Sequence, residues 1–253
     1  MKTSRDSVEF TQTLTEPSIA IGYVYSKVVR LTPGKPQLTI SHVMRNTGSK
    51  PIVTNVYDHN FTTIDKQPIG PDLEISAPWP MVRATGRGGP GRQGAQAGAP
   101  GQGAPAAPAG QGRQAALPGA AGPGGPGRQG QPPVDPYASL AVGERMGTQC
   151  GQPQMQSLAG PQGNTLVYAK VLEGAECYQT SFSGFGANVK DHEIRIENKK
   201  VGAGVRITGN RPLARFGYWS IRTVVAPEPY IDINIEPGRE FTWTYTYDYY
   251  TTK

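Results

Sequence analysis

The chain has 253 residues, 25 Lys+Arg against 19 Asp+Glu, a formal net charge of +6 and only 36% hydrophobic residues. No run approaches the roughly 18 consecutive apolar residues of a membrane-crossing helix, and Met1–Thr15 has no apolar stretch after its Lys and Arg, so neither a span nor a leader is expected and the default compartment is the cytoplasm. Nucleic acid is not expected as a partner: four of the six net charges fall in one Gly/Ala/Pro block, and no basic stripe with interleaved aromatics occurs elsewhere.

In chain order, residues 1–83 alternate at period two. Val8, Phe10, Gln12 and Leu14 open the pattern; Ile21–Leu31, Leu38–Met44 and Val53–Phe61 continue it. Such alternation predicts half-buried strands. Thr32-Pro33-Gly34-Lys35-Pro36 and Asn46-Thr47-Gly48-Ser49 supply turns between them.

Residues 84–133 hold 16 Gly, 12 Ala, 9 Pro and 7 Gln, with Leu117 the single large aliphatic. Such a segment buries too little to offset the entropy of ordering it, so it is expected to be a disordered insertion. Closure entropy grows only logarithmically with loop length, so the insertion is tolerated within one domain.

Beyond it, Thr165–Glu173, Cys177–Ser183, His192–Asn198, Gly204–Thr208, Arg215–Val225, Tyr230–Glu236 and Glu240–Tyr250 read as further strands. No window keeps a capped helical apolar stripe, so helices are expected only as short connectors. The expected fold is all-β: a large antiparallel β-sandwich, one discontinuous domain of residues 1–83 and 134–253 around the insertion. Cys150 and Cys177 are too far apart for a CxxC motif; they could pair, though two separate thiols are the expectation.

Polar residues that interrupt the alternation are the candidates for chemistry. Asn55 and His59 share parity and so one face, whereas Asp58 faces the other. An imidazole flanked by amides and a carboxylate can move a proton near neutrality; the plainer reading has His59 bonding a carbonyl at a strand end. Trp219 with Arg222 offers an aromatic face and a cation, and Glu228 between Pro227 and Pro229 is a carboxylate held in a stiff turn; a core Trp, a solvated Arg and a loop Glu is the alternative. His42 is expected to pack and His192, beside Asp191, to be solvated. No nucleophile elbow, phosphate loop or zinc motif occurs.

The stretch Gln37–Gly70, with Asn55-x-x-Asp58-His59-Asn60-Phe61, resembles the N-x-x-N-H-x-Y-F segment of the galactose mutarotase-like superfamily, which includes aldose 1-epimerase. Ile235-Glu236-Pro237-Gly238-Arg239-Glu240-Phe241-Thr242-Trp243 is similar to that family's closing strand pair. The resemblance implies a supersandwich with a sugar cleft on a concave face. It implies ring opening of a hexose, a glutamate taking the anomeric hydroxyl proton while a histidine protonates the ring oxygen, with neither metal nor organic cofactor. His59 matches the acid. Arg222 stands about where the family has its glutamate, and Glu228 is the nearest carboxylate, with Asn55, Asp58, Trp219 and Arg222 as sugar-binding residues. A second family histidine, its arginine and a mid-chain aspartate have no match, and the family's opening strands are expected to be absent. That would leave a sheet edge for a partner or a second copy of the chain to cover. The competing class is a non-catalytic carbohydrate-recognition or structural sandwich.

Overall fold

The computed structural model describes residues 1–84, 150 and 152–252. Apart from residue 84, the expected disordered insertion lies outside the described residues. Two antiparallel sheets face each other. The ten-stranded sheet runs in the order β1 (Lys2–Thr3), β2 (Ser7–Glu16), β3 (Ile21–Leu31), β4 (Gln37–Asn46), β15 (Glu240–Thr251), β12 (Ala203–Gly209), β11 (Glu193–Asn198), β6 (Leu73–Ser76), β9 (Thr165–Tyr168) and β8 (Ala159–Gln162). The five-stranded sheet is β5 (Ile52–Tyr57), β14 (Val224–Ile235), β13 (Arg215–Ile221), β10 (Cys177–Ser183) and β7 (Val82–Arg83). The one described α-helix, α1 (Pro153–Gln156), is a single turn.

The period-two pattern decides which faces meet. Phe216, Tyr218, Val225, Tyr178 and Phe182 of the small sheet pack with Ile75, Leu166, Ile194, Ile196 and Ile207 of the large one. Ile231, Ile233 and Ile235 cover Trp243 and Tyr245. Burying each large aliphatic or aromatic of this kind contributes about 1.5–3 kcal/mol, so the two clusters are the main cohesive force between the sheets. Within the first cluster the Tyr168 hydroxyl lies 2.5 Å from the Tyr218 hydroxyl and donates to Ser220 Oγ at 2.8 Å, so these buried polar atoms are partnered.

Several expectations change. The run Arg215–Val225 is not one strand: it folds back at Arg222-Thr223 into the β13–β14 hairpin, with Ile221 opposite Val224. The strand through Phe61 stops at Tyr57. Val225 exchanges both backbone hydrogen bonds with Thr62, so the period-two ladder turns the backbone nitrogens of residues 227 and 229 to that same edge. Both are prolines and have no donor there, so residues 58–61 cannot continue as a paired strand and loop outward instead.

His192 is not solvated but 1% exposed, with Nδ1 2.7 Å from the Arg211 carbonyl and its ring over Gly209, where any Cβ would collide. His42 packs as expected, stacked on Trp243 at 4.7 Å with Nδ1 2.6 Å from the Tyr25 hydroxyl. Cys150 and Cys177 form a disulfide, their Cα atoms 4.9 Å apart. The return of the chain into β10 brings together two residues that sequence spacing left separate.

Candidate functional site

The face of the five-stranded sheet turned away from the core carries the site. Along β14 the residues on this face are Ala226, Glu228, Tyr230 and Asp232, and the β13 ladder sets Trp219 opposite Ala226, Gly217 opposite Glu228 and Arg215 opposite Tyr230. On the other side β5 places Tyr57 opposite Tyr230 and Asn55 opposite Asp232. The proline-interrupted edge lets the loop after β5 fold over this surface. Asn60, 6% exposed, anchors that loop by donating from Nδ2 to the Pro227 carbonyl at 3.0 Å.

The anchored loop brings His59 onto Glu228, with Nε2 3.2 Å from Oε1. Burial pushes the imidazole below its ordinary value and the carboxyl above its own. The two displacements narrow the gap between their proton affinities, which favours transfer of a proton between or through the pair. Tyr230, its hydroxyl pushed up to about 12 by burial and by the Glu228 charge, stays protonated and donates to Glu228 Oε2 at 3.4 Å. That donation steadies the second carboxylate oxygen and leaves Oε1 to His59.

Aromatic rings frame the pair. Phe61 stacks on His59 at 4.1 Å and is 64% exposed; Trp219 meets both rings edge-on, at 6.2 Å from His59 and 6.1 Å from Phe61. Tyr57 stacks on Tyr230 at 4.3 Å. A half-exposed set of ring faces around a polar pair suits a ligand with both hydroxyl and C–H surfaces.

Of the residues singled out in the sequence, His59, Glu228 and Trp219 come together. Asn55 does not join them: it is exposed and stands four residues along the ladder from the Glu228 row, about 13 Å, beyond the Tyr57–Tyr230 stack. Asp58 faces inward, as its parity implies, accepting from the Tyr247 hydroxyl at 3.3 Å, and burial pushes its carboxyl up. Arg222, in the hairpin turn, donates to the Leu172 carbonyl at 3.1 Å, on the far side of the Trp219 row. The cation on the Glu228 side is Arg215 instead, whose guanidinium carbon lies 3.6 Å from the centre of the Tyr230 ring. Arg215, Gly217, Tyr230 and Tyr57 were not picked out from sequence. Taking Arg222-Thr223 as a two-residue turn would have found the first three, since it fixes every pairing of the hairpin.

A second hollow, at β8 and β9, is lined by Arg83, Gln156 and Tyr168, but Arg83 there already donates to the Gln156 and Ala159 carbonyls. Among the described residues no cluster of three or more His, Cys, Asp or Glu is placed to hold a metal ion, and no helix is long and apolar enough to cross a membrane.

No family model matches the chain, and no curated protein matches it. Solved structures do. The galactose mutarotase related enzyme of Lactobacillus acidophilus superposes with a TM-score of 0.55 at 10% identity, over 100% of this chain and 70% of that one. A galactose mutarotase-like protein of Lactobacillus casei gives 0.53 at 12% identity, over 99% and 72%. The aldose epimerase homologue of C. elegans gives 0.53 at 10%, over 100% and 68%. The chain has the galactose mutarotase-like fold, spanning about 70% of the length of these proteins.

Proposed function

We propose that this protein binds a free sugar on the outer face of the five-stranded sheet and interconverts its anomers by opening and reclosing the ring. In this reading Glu228 takes the proton of the anomeric hydroxyl, the C1–O5 bond breaks with its electron pair going to the ring oxygen, and His59 delivers a proton there. Rotation about the C1–C2 bond and the reverse sequence give the other anomer, with no net gain or loss of protons. The observation that carries the reading is the 3.2 Å contact of His59 Nε2 with Glu228 Oε1. The two oxygens that exchange protons are attached to the same carbon, so acid and base must stand side by side. Phe61 and Trp219 would then hold the sugar's apolar face.

The test is anomer exchange, followed by polarimetry and by NMR, over neutral and acidic aldoses, with wild type beside His59→Ala and Glu228→Gln. Acceleration of at least one aldose, lost by about 100- to 10,000-fold in both variants, supports the reading. No acceleration of any aldose overturns it.

A second reading is a recognition module that binds sugar without turning it over. What favours it is the exposure of Phe61 (64%) and Tyr57 (44%), which present a platform more open than an enclosed catalytic cleft. Sugar-induced shifts of the Trp219 indole without rate acceleration would select this class.

We further propose that the protein works in an oxidising compartment, where a cystine such as Cys150–Cys177 persists, rather than in the cytoplasm.

A further inference from the structure

Beside Glu228 the face holds a group of polar side chains that the ring-opening step does not use. Arg215 precedes Gly217 by two residues on β13 and shares a depression with Glu228 of β14 and with Gln179 and Ser181 of the neighbouring β10. Its guanidinium lies over the Tyr230 ring, which fixes its plane, and its Nε is buried without a hydrogen-bond partner. Arg215 forms no ion pair among the described residues, whereas Arg195 and Arg206 on the large sheet each pair with a carboxylate. Glu228 feels the charge of Arg215 but forms no ion-pair contact with it, so a guanidinium held this rigidly and desolvated in part is open to the anion of a ligand. Gly217, between Arg215 and Trp219 on β13, leaves its space to the Glu228 carboxylate, so a ligand lying against the His59–Glu228 pair can extend past that carboxylate to the guanidinium.

Resting on the ring-opening reading of the same site, we infer that the ligand is an acidic sugar, whose anionic group is held by Arg215 with Gln179 and Ser181. A planar carboxylate, as in a hexuronic acid, matches the fork of donors that a guanidinium presents. A phosphorylated hexose offers the same charge from another source. Glu228 and the ligand's anion would then flank Arg215, which keeps the two negative groups from repelling each other.

The experiment compares glucose and galactose with glucuronate, galacturonate and glucose 6-phosphate, measuring anomer exchange by NMR and binding by the Trp219 indole resonance, in wild type, Arg215→Gln and Arg215→Lys. Trp219 is a clean reporter because Trp79 and Trp243 are only 3% and 4% exposed. The expected result is a preference of about 10- to 100-fold in kcat/KM for the acidic sugar over its neutral parent, the scale of a charge-assisted bidentate contact. Arg215→Gln should bring that ratio close to one, and Arg215→Lys should keep part of it. A preference carried by glucose 6-phosphate alone assigns the anion to a phosphate. Binding of uronate that disappears in Arg215→Gln, with no exchange of any sugar, upholds the acidic ligand and removes the ring-opening reading. Exchange of neutral hexoses with a ratio of one that Arg215→Gln does not alter overturns the acidic ligand and leaves the ring-opening reading standing. Absence of any response to the acidic sugars also overturns it.

Discussion

Gly217 lies directly opposite Glu228 in the β13–β14 ladder, and a Cβ on Gly217 would stand 2.9 Å from Glu228 Oε2 and 3.4 Å from Glu228 Cβ. No φ constraint requires glycine here; the space does. The carboxylate is the movable end of a flexible chain, so it would swing aside rather than force the sheet apart. Gly217→Ala should therefore leave thermal unfolding within about 1 kcal/mol of wild type. The same variant should lower anomer exchange by about 10-fold or more, because the carboxylate that must meet the anomeric hydroxyl is displaced. An unchanged rate together with an unchanged melting temperature would remove Glu228 from the role of base.

The opposed displacements of His59 and Glu228 set a pH profile. The productive form needs a protonated His59 and an ionised Glu228. Activity rises as Glu228 loses its proton, above the ordinary carboxyl value because burial raises that group, and falls as His59 loses its own, below the ordinary imidazole value because burial lowers it. The two limbs thus draw together into a narrow bell between about 4.5 and 6.5. In Tyr230→Phe the donor to Glu228 Oε2 is gone, the carboxylate is less well stabilised, and the acid limb should move to higher pH. A profile of kcat/KM against pH for both proteins checks the position and the direction.

The disulfide closes a loop across a sequence separation of 27 residues. Cross-linking a loop of that length lowers the entropy of the unfolded chain by an amount worth about 3–4 kcal/mol. Cys150→Ser or Cys177→Ser should lower unfolding free energy by roughly that amount, and thiol titration of the native protein should find no free thiol. Cys177 precedes Gln179 by two residues on the same face of β10, so the loss should also loosen the edge of the candidate site.

What the sequence showed and what it hid separate along physical lines. Alternation at period two made β3, β4, β10 and β15 readable, and β2 as well, although its apolar Phe10 and Leu14 are exposed. It also put Asp58 correctly on the face opposite His59. It failed where two strands of one hairpin ran together: Arg215–Val225 has no Gly, Asn or Pro at its turn, so Arg222-Thr223 carried no punctuation. Without that turn Gly217, Arg215 and Tyr230 could not be placed beside Glu228. Arg222 drew attention because of its neighbour Trp219 in sequence, but a strand sends neighbours to opposite faces and a turn sends them further apart. His192 looked solvated beside Asp191, although a residue opening a central strand is covered by whatever crosses it, here Tyr245 and the Arg211 carbonyl. The cystine was hidden for another reason, since pairing depends on where the chain re-enters β10 and not on composition.

His42 should make the fold sensitive to mild acid. Its ring is 2% exposed, stacked on Trp243, edge-on to Tyr245 and bonded through Nδ1 to the Tyr25 hydroxyl, and burial with the nearby Lys27 charge lowers it to about 4. Above about pH 6.5 the imidazole is neutral in folded and unfolded chains alike, and it adds no pH dependence. Between about 6.5 and 4 the unfolded chain binds a proton that the folded one refuses, so stability falls as the pH drops through this window. Burial lowers His192 in the same direction, so it adds to the slope. The contribution of His42 is on the order of 2–3 kcal/mol by pH 4. Urea unfolding at pH 7.5 and 4.5 measures the difference, and His42→Gln, which keeps an acceptor for Tyr25 but cannot take a proton in this range, should flatten it by about that amount. An equal fall in both proteins would assign the acid sensitivity to the carboxylates instead.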